Sequence, residues 1–234
     1  SLWDAIPEFL RRLHNTQLEV TGKPLPEDAA PVSFTSWMGG DRDGNPNVTA
    51  TVTEEVLLLG RWQATALYLR DVETLVEELS MTACNDTVMQ MTSNRREPYR
   101  GVLRALRDKL RLTLQALTEQ INAHKAPPPG TLITSEDELW QPAYACYRSL
   151  IECGMVRIAE GKLLDFLRRI KCFGLHLVRL DIRQHSDHHT EALSELTRFL
   201  DLGDYQQWDE QQRQAFLLGE LASKRPLIPV DWQP

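Results

Sequence analysis

The chain has 234 residues, 42% of them hydrophobic and 25% charged, the balance of a soluble globular protein with one large domain or two small ones. A formal net charge of −7 argues against a nucleic-acid partner, and the longest apolar runs, such as residues 56–59, are far too short to cross a membrane. Cys84, Cys146, Cys153 and Cys172 form no C-x-x-C pair, and without a signal peptide they read as reduced thiols of a cytoplasmic protein.

Residues 1–20 predict a helix, with Trp3, Ile6, Phe9, Leu10 and Leu13 at helical spacing. There is no start methionine, so the chain is expected to be an internal piece of a longer one. A proline-bearing connector over 24–31 leads into residues 32–38, which are β-branched and aromatic and predict a buried strand. Gly39 and Gly40 follow at once; two glycines at a strand end permit positive φ and close approach of backbone to a ligand. Asp41, Arg42 and Asp43 then place a cation between two acids, and Asp43-Gly44 and Asn45-Pro46 are turn dipeptides.

Thr51 and Glu54 fit a capping box for a long helix to about Met81. Residues 85–98 are polar and predict a short helical turn and a surface loop. Pro98 suits the first position of the next helix, which runs through Leu103, Leu106, Leu110, Leu114, Leu117 and Ile121. Residues 127–130, Pro-Pro-Pro-Gly, are a linker. Ser135 and Glu138 form a second capping box, for a helix carrying Trp140, Tyr144, Tyr147 and Leu150, with Pro142 near its first turn. Residues 162–173 predict an amphipathic helix stopped by Gly174. The alternating, branched run over 175–182 predicts a second strand, with Arg183 and Gln184 just past its end. Residues 187–200 and 209–221 predict two last helices, the second capped by Asp209 and Gln212. An extended tail with Pro226 and Pro229 closes the chain.

The fold class is therefore mainly α, with two isolated strands. Strands that do not pair with each other cannot satisfy their own backbone groups, so they are expected to belong to a larger sheet or barrel.

Several chemistries compete for the loop at 39–46. A calcium loop starting at Asp41 would need glycine at its sixth position and an acid at its twelfth, where this chain has Pro46 and Val52. No Gly-Lys-Ser/Thr follows, so a nucleotide loop fails as well. A tight turn pinned by its own charges remains open. Arg183 has a similar pair of readings: an ion pair to Asp181 or a neighbouring helix, or a planar cationic fork for phosphate or carboxylate. His185 and His189 lie four apart, but further ligands are scarce for a zinc site, and a solvated helix start is the plainer reading.

The string Ser36-Trp37-Met38-Gly39-Gly40-Asp41-Arg42-Asp43-Gly44-Asn45-Pro46 resembles the signature of phosphoenolpyruvate carboxylases nearly letter for letter. Asp181-Ile182-Arg183-Gln184 is similar to a second segment of that family, and weaker similarity runs through the helices. The resemblance implies that residues 1–234 are a single internal fragment of a much longer α/β-barrel enzyme. It also implies a homo-oligomer acting on phosphoenolpyruvate and bicarbonate with Mg²⁺ or Mn²⁺, the metal ligands lying outside this segment. Carried over by residue, it implies that Trp37 walls a hydrophobic pocket around carboxyphosphate and that Arg183 holds phosphate charge. Gly39, Gly40, Asp41, Arg42, Asp43 and Gln184 would then shape the site. After Gln184 the family has Glu-Ser, where this chain has His185-Ser186. No Thr-Ala-His-Pro-Thr stretch and no Gly-Arg-Gly-Gly loop occur, so the family's catalytic histidine is absent. A stand-alone helical scaffold or regulatory module without catalysis is the other function class.

Overall fold

The structure is a computed structural model describing residues 1–228 and 232. The chain is mainly α-helical and divides into two compact units, Ser1–Met38 with Ala50–Leu180, and Gly39–Thr49 with Asp181–Pro234.

The first unit opens with α1 (Leu2–Thr21), which buries Trp3, Ile6 and Leu10 and ends at Gly22, whose φ of 69° supplies the left-handed cap. Phe9, at helical spacing with them, is exposed. The longest pair, α2 (Ala50–Glu78) and α4 (Pro98–Ala123), runs antiparallel: Trp62 Nε1 donates to Thr118 Oγ1 at 2.9 Å at one end, and Arg100 Nε donates to the Val76 carbonyl at 2.7 Å at the other. Ala64, Tyr68, Val72 and Leu75 of α2 share one core with Val102, Leu103, Leu106 and Leu110 of α4. Each large apolar side chain buried there contributes roughly 1.5–3 kcal/mol. A short α3 (Asp86–Gln90), capped by Asn85, fills the predicted polar stretch, and Pro98 stands where α4 begins. The α2 capping box is not as expected: the helix already includes Ala50, so Thr51 lies inside its first turn.

Residues 127–130 are coil within this unit. In α5 (Asp137–Glu152), Glu138 accepts from the Ser135 N–H at 3.1 Å, as a capping box requires. Ser135 Oγ, however, takes the Asp137 N–H at 3.2 Å rather than that of Glu138. A short α6 (Val156–Ile158) passes through a π turn, Ala159–Leu163, into α7 (Leu164–Phe173). Gly161 breaks that turn with φ −77° and ψ −138°. Helical structure thus starts before the expected residue 162.

Asp71 ties three helices together. It accepts from Trp3 Nε1 at 2.9 Å and from Arg169 at 2.8 Å, while Arg169 Nε donates to the Trp3 carbonyl at 2.9 Å. Phe173 stacks between Trp3 and Phe34 at 5.0 and 5.3 Å, which fixes the segment before the first strand against the end of α7.

Both strands differ from expectation. They are two residues each, β1 (Thr35–Ser36) and β2 (Arg179–Leu180), and they pair in parallel with each other, Thr35 opposite Arg179 and Ser36 opposite Leu180. Residues 32–38 are half-buried or exposed rather than buried. The second expected strand is cut short by a turn in which Leu177 has φ 65° and the Val178 N–H donates to the His176 carbonyl at 2.8 Å. A positive φ at a branched residue ends extended structure whatever the alternation of the sequence.

The second unit holds α8 (Ser186–Phe199), a 3₁₀ turn at Tyr205–Gln207 and α9 (Glu210–Ala222). Tyr205, Trp208 and Phe216 meet at centroid distances of 5.2–6.2 Å. Asp209 and Gln212 form the complete capping box expected of them. Of the predicted tail, Pro229 lies outside the described residues.

Candidate functional site

The loop after Met38 and the segment after Leu180 both belong to the second unit, and the backbone joins them. Asp41 and Arg183 form a parallel bridge. The Arg183 N–H donates to the Gly40 carbonyl at 2.9 Å, and the Arg42 N–H donates to the Arg183 carbonyl at 2.9 Å. Gly39 turns with φ 81°, while Gly40 is buried and keeps an ordinary φ. Of the two glycines, only the first uses the left-handed freedom that the pair offers. Asp41 Oδ1 accepts the Asp43 N–H at 3.2 Å, the Asx turn expected of such a loop. Gly44, with φ 70°, closes it.

The Arg183 guanidinium lies beside Asp181, with Nε and Nη2 at 3.0 and 2.9 Å from Oδ2. The ion pair to Asp181 is one of the two readings that the sequence left open for Arg183. Its side chain is 56% exposed. The Gln184 side chain turns back to accept the His185 N–H at 3.0 Å. His185 in turn caps α8, its Nδ1 accepting the Asp187 N–H at 3.3 Å. His188 faces Glu191 at 3.2 Å. Trp37 belongs to the first unit, where it follows β1 with 59% of its surface exposed.

These residues do not suit a divalent cation. Asp181 is engaged by Arg183, Asp41 by the Asp43 amide, and the loop's own Arg42 stands next to Asp41. Among the described residues no three His, Cys, Asp or Glu side chains converge on one point. No described helix is long and apolar enough to cross a membrane.

The site therefore consists of a cationic fork held at its backbone by a glycine-rich loop. In the sequence the loop and the arginine follow separate strands, and the structure brings Gly40, Asp41, Arg42 and Arg183 together. Trp37 is described with the other unit. A cleft of about 460 Å³ in the first unit, lined in part by Phe34, Lys171, Phe173 and His176, was not anticipated. Burial and the charge of Arg61 hold His176 below the usual histidine range.

The sequence model of phosphoenolpyruvate carboxylase matches residues 1–234, the whole chain. The chain belongs to the phosphoenolpyruvate carboxylase family. Proteins named phosphoenolpyruvate carboxylase from Vibrio vulnificus (strain YJ016), Edwardsiella ictaluri and Pectobacterium carotovorum are 58%, 56% and 53% identical to it. Each alignment covers 100% of this chain but 27% of the relative. The chain thus spans about a quarter of the length of these phosphoenolpyruvate carboxylases.

Proposed function

We propose that this chain is a segment of a phosphoenolpyruvate carboxylase, in which it supplies part of the active-site wall. The reaction joins phosphoenolpyruvate and bicarbonate to give oxaloacetate and phosphate. Phosphoryl transfer to bicarbonate forms carboxyphosphate and an enolate, and the enolate carbon then takes up the carboxyl group as phosphate leaves. Arg183 holds the phosphate oxygens as charge develops on them, an electrostatic role that depends on preorganisation. The Gly39–Asp43 loop sets the position of that arginine. Trp37 covers the reactive intermediate and excludes water. The proton-handling histidine and the ligands for Mg²⁺ or Mn²⁺ belong to the rest of the polypeptide. The enzyme is a cytoplasmic homo-oligomer, in keeping with four unpaired cysteines and the exposed Leu217, Leu218 and Leu221 of α9.

The observation that carries this reading is the backbone link between the loop and Arg183, two bonds of 2.9 Å on either side of one residue. A fork fixed at its main chain, with a side chain 56% exposed, suits presenting charge more than holding the fold together. Arg183→Ala in the full-length enzyme is expected to lower kcat by roughly two to three decades, the loss of one preorganised contact at a developing anion. Circular dichroism should be unchanged. A kcat within about a factor of two of wild type, far less than such a contact supplies, would overturn the assignment.

A further inference from the structure

The first unit contains a second cationic site, made of residues that the proposed reaction does not use. An open cleft of about 170 Å³ is lined by Arg11, His14, Asn15, Glu160, Leu164 and Arg168, from α1, the π turn and α7. Arg168 is 2% exposed, one of the largest fully buried side chains of the first unit. Its Nε is buried without a hydrogen-bond partner, and so is His14 Nδ1.

Among the described residues Arg168 has no ion-pair partner, and the surrounding bonds explain why. Arg11 donates to the Glu160 carbonyl at 2.8 Å, to the Gly161 carbonyl at 3.0 Å and to Asp165 Oδ1 at 2.6 Å. These carbonyls lie in the π turn that Gly161 breaks, and the Gly161 carbonyl also accepts the Leu164 N–H. Arg11 thereby engages Asp165, a carboxylate that attracts Arg168, while adding a repulsive charge of its own. Arginine does not escape such a position by losing its proton. A buried cation without a partner is among the most unfavourable arrangements in a protein interior.

We propose that Arg168, with His14 and Arg11 beside it, binds a small oxyanion, a carboxylate or phosphate group. A planar fork matches either group. The cleft is smaller than the several hundred Å³ of pockets that take drug-sized molecules, yet larger than a single water needs. Glu160 on the wall disfavours a highly charged ligand. The oxyanion comes either from a free small molecule or from an acidic side chain elsewhere in the longer polypeptide.

Thermal melting and calorimetry of the 234-residue chain and of the full-length protein, with sodium phosphate and sodium succinate against sodium chloride at equal ionic strength, test this. Saturable stabilisation at millimolar anion is expected. It should vanish in Arg168→Met, weaken roughly tenfold in Arg168→Lys because the bidentate fork is lost, and persist in Arg183→Ala. Without added anion, Arg168→Met should melt no lower than wild type, since it removes an uncompensated charge. Binding to both proteins supports a free ligand, and binding to the 234-residue chain alone supports an internal carboxylate that fills the site in the longer protein. No saturable response in either protein, or a response that survives Arg168→Met, overturns the proposal. If Arg168→Met does not fold, affinity in Arg168→Lys equal to wild type overturns it instead.

Discussion

Arg183 is held from behind rather than by its charge. Its ion pair with Asp181 joins two half-exposed side chains, and such pairs contribute only about 0–1 kcal/mol. The main-chain bonds to Gly40 and Arg42 do not depend on the side chain at all, so the fork can be exchanged without dismantling the loop. Glu138 is the opposite case, a carboxylate whose partners set its ionisation. Lys109 donates to it, as do the Thr134 and Ser135 amides at 2.8 and 3.1 Å, and together they lower its pKa from 4.5 to about 2. A depressed folded value means that the stabilisation is complete above the unfolded pKa and lost as pH falls from about 4.5 towards 2. Urea melts at pH 5 and pH 3 should therefore show a loss of stability that is smaller in Glu138→Gln. An equal loss in both proteins would mean that Glu138 is not a source of the acid sensitivity.

At the scale of elements, α4 shows how a glycine can be required within a helix. A Cβ on Gly101 would stand 2.0 Å from Thr92 Oγ1 and 3.0 Å from Thr92 Cβ. That hydroxyl already accepts the Asn94 N–H at 3.1 Å, so it is not free to swing away. Alanine gains about 1 kcal/mol in helix propensity, but overpacking costs about 1–3 kcal/mol, and the clash should win. Gly101→Ala is expected to lower the urea midpoint, and a raised midpoint would mean that the loop before α4 yields. The helices themselves were legible because their apolar residues recur at helical spacing and because Pro98 and the Asp209–Gln212 pair mark starts. The strands were legible only as places where the chain extends. Their length was overruled by the turn at Leu177, and their pairing joins residues far apart in the chain, which no local pattern encodes. The burial of Arg168 was hidden for a related reason: α7 packs against α1, α2 and α5, so even its polar positions are covered.

Across the whole molecule, the candidate site was legible to the extent that it consists of a local signature. Gly39, Gly40, Asp41, Arg42 and Asp43 are contiguous, and Arg183 stands in a short motif of its own. The bridge between them is long-range, and no local pattern encodes it. On the proposed reading, what the chain carries is a means to attract and orient an anion. It offers no histidine of a Thr-Ala-His-Pro-Thr stretch and, among the described residues, no converging set of metal-ligating side chains. Its two short parallel strands have open edges beyond their single pairing, and Trp37, Met38 and Leu221 stand exposed. Such edges and apolar faces favour association. The 234-residue chain alone is therefore expected to be helical, to self-associate in a concentration-dependent way, and to lack carboxylase turnover. The measurement is oxaloacetate formation from phosphoenolpyruvate, bicarbonate and Mg²⁺, followed through a coupled dehydrogenase, with sedimentation velocity run on the same preparation. Turnover above the no-protein control that survives repurification and disappears in Arg183→Ala would place proton transfer and metal binding within these residues. It would show that the chain does more than build part of an active-site wall.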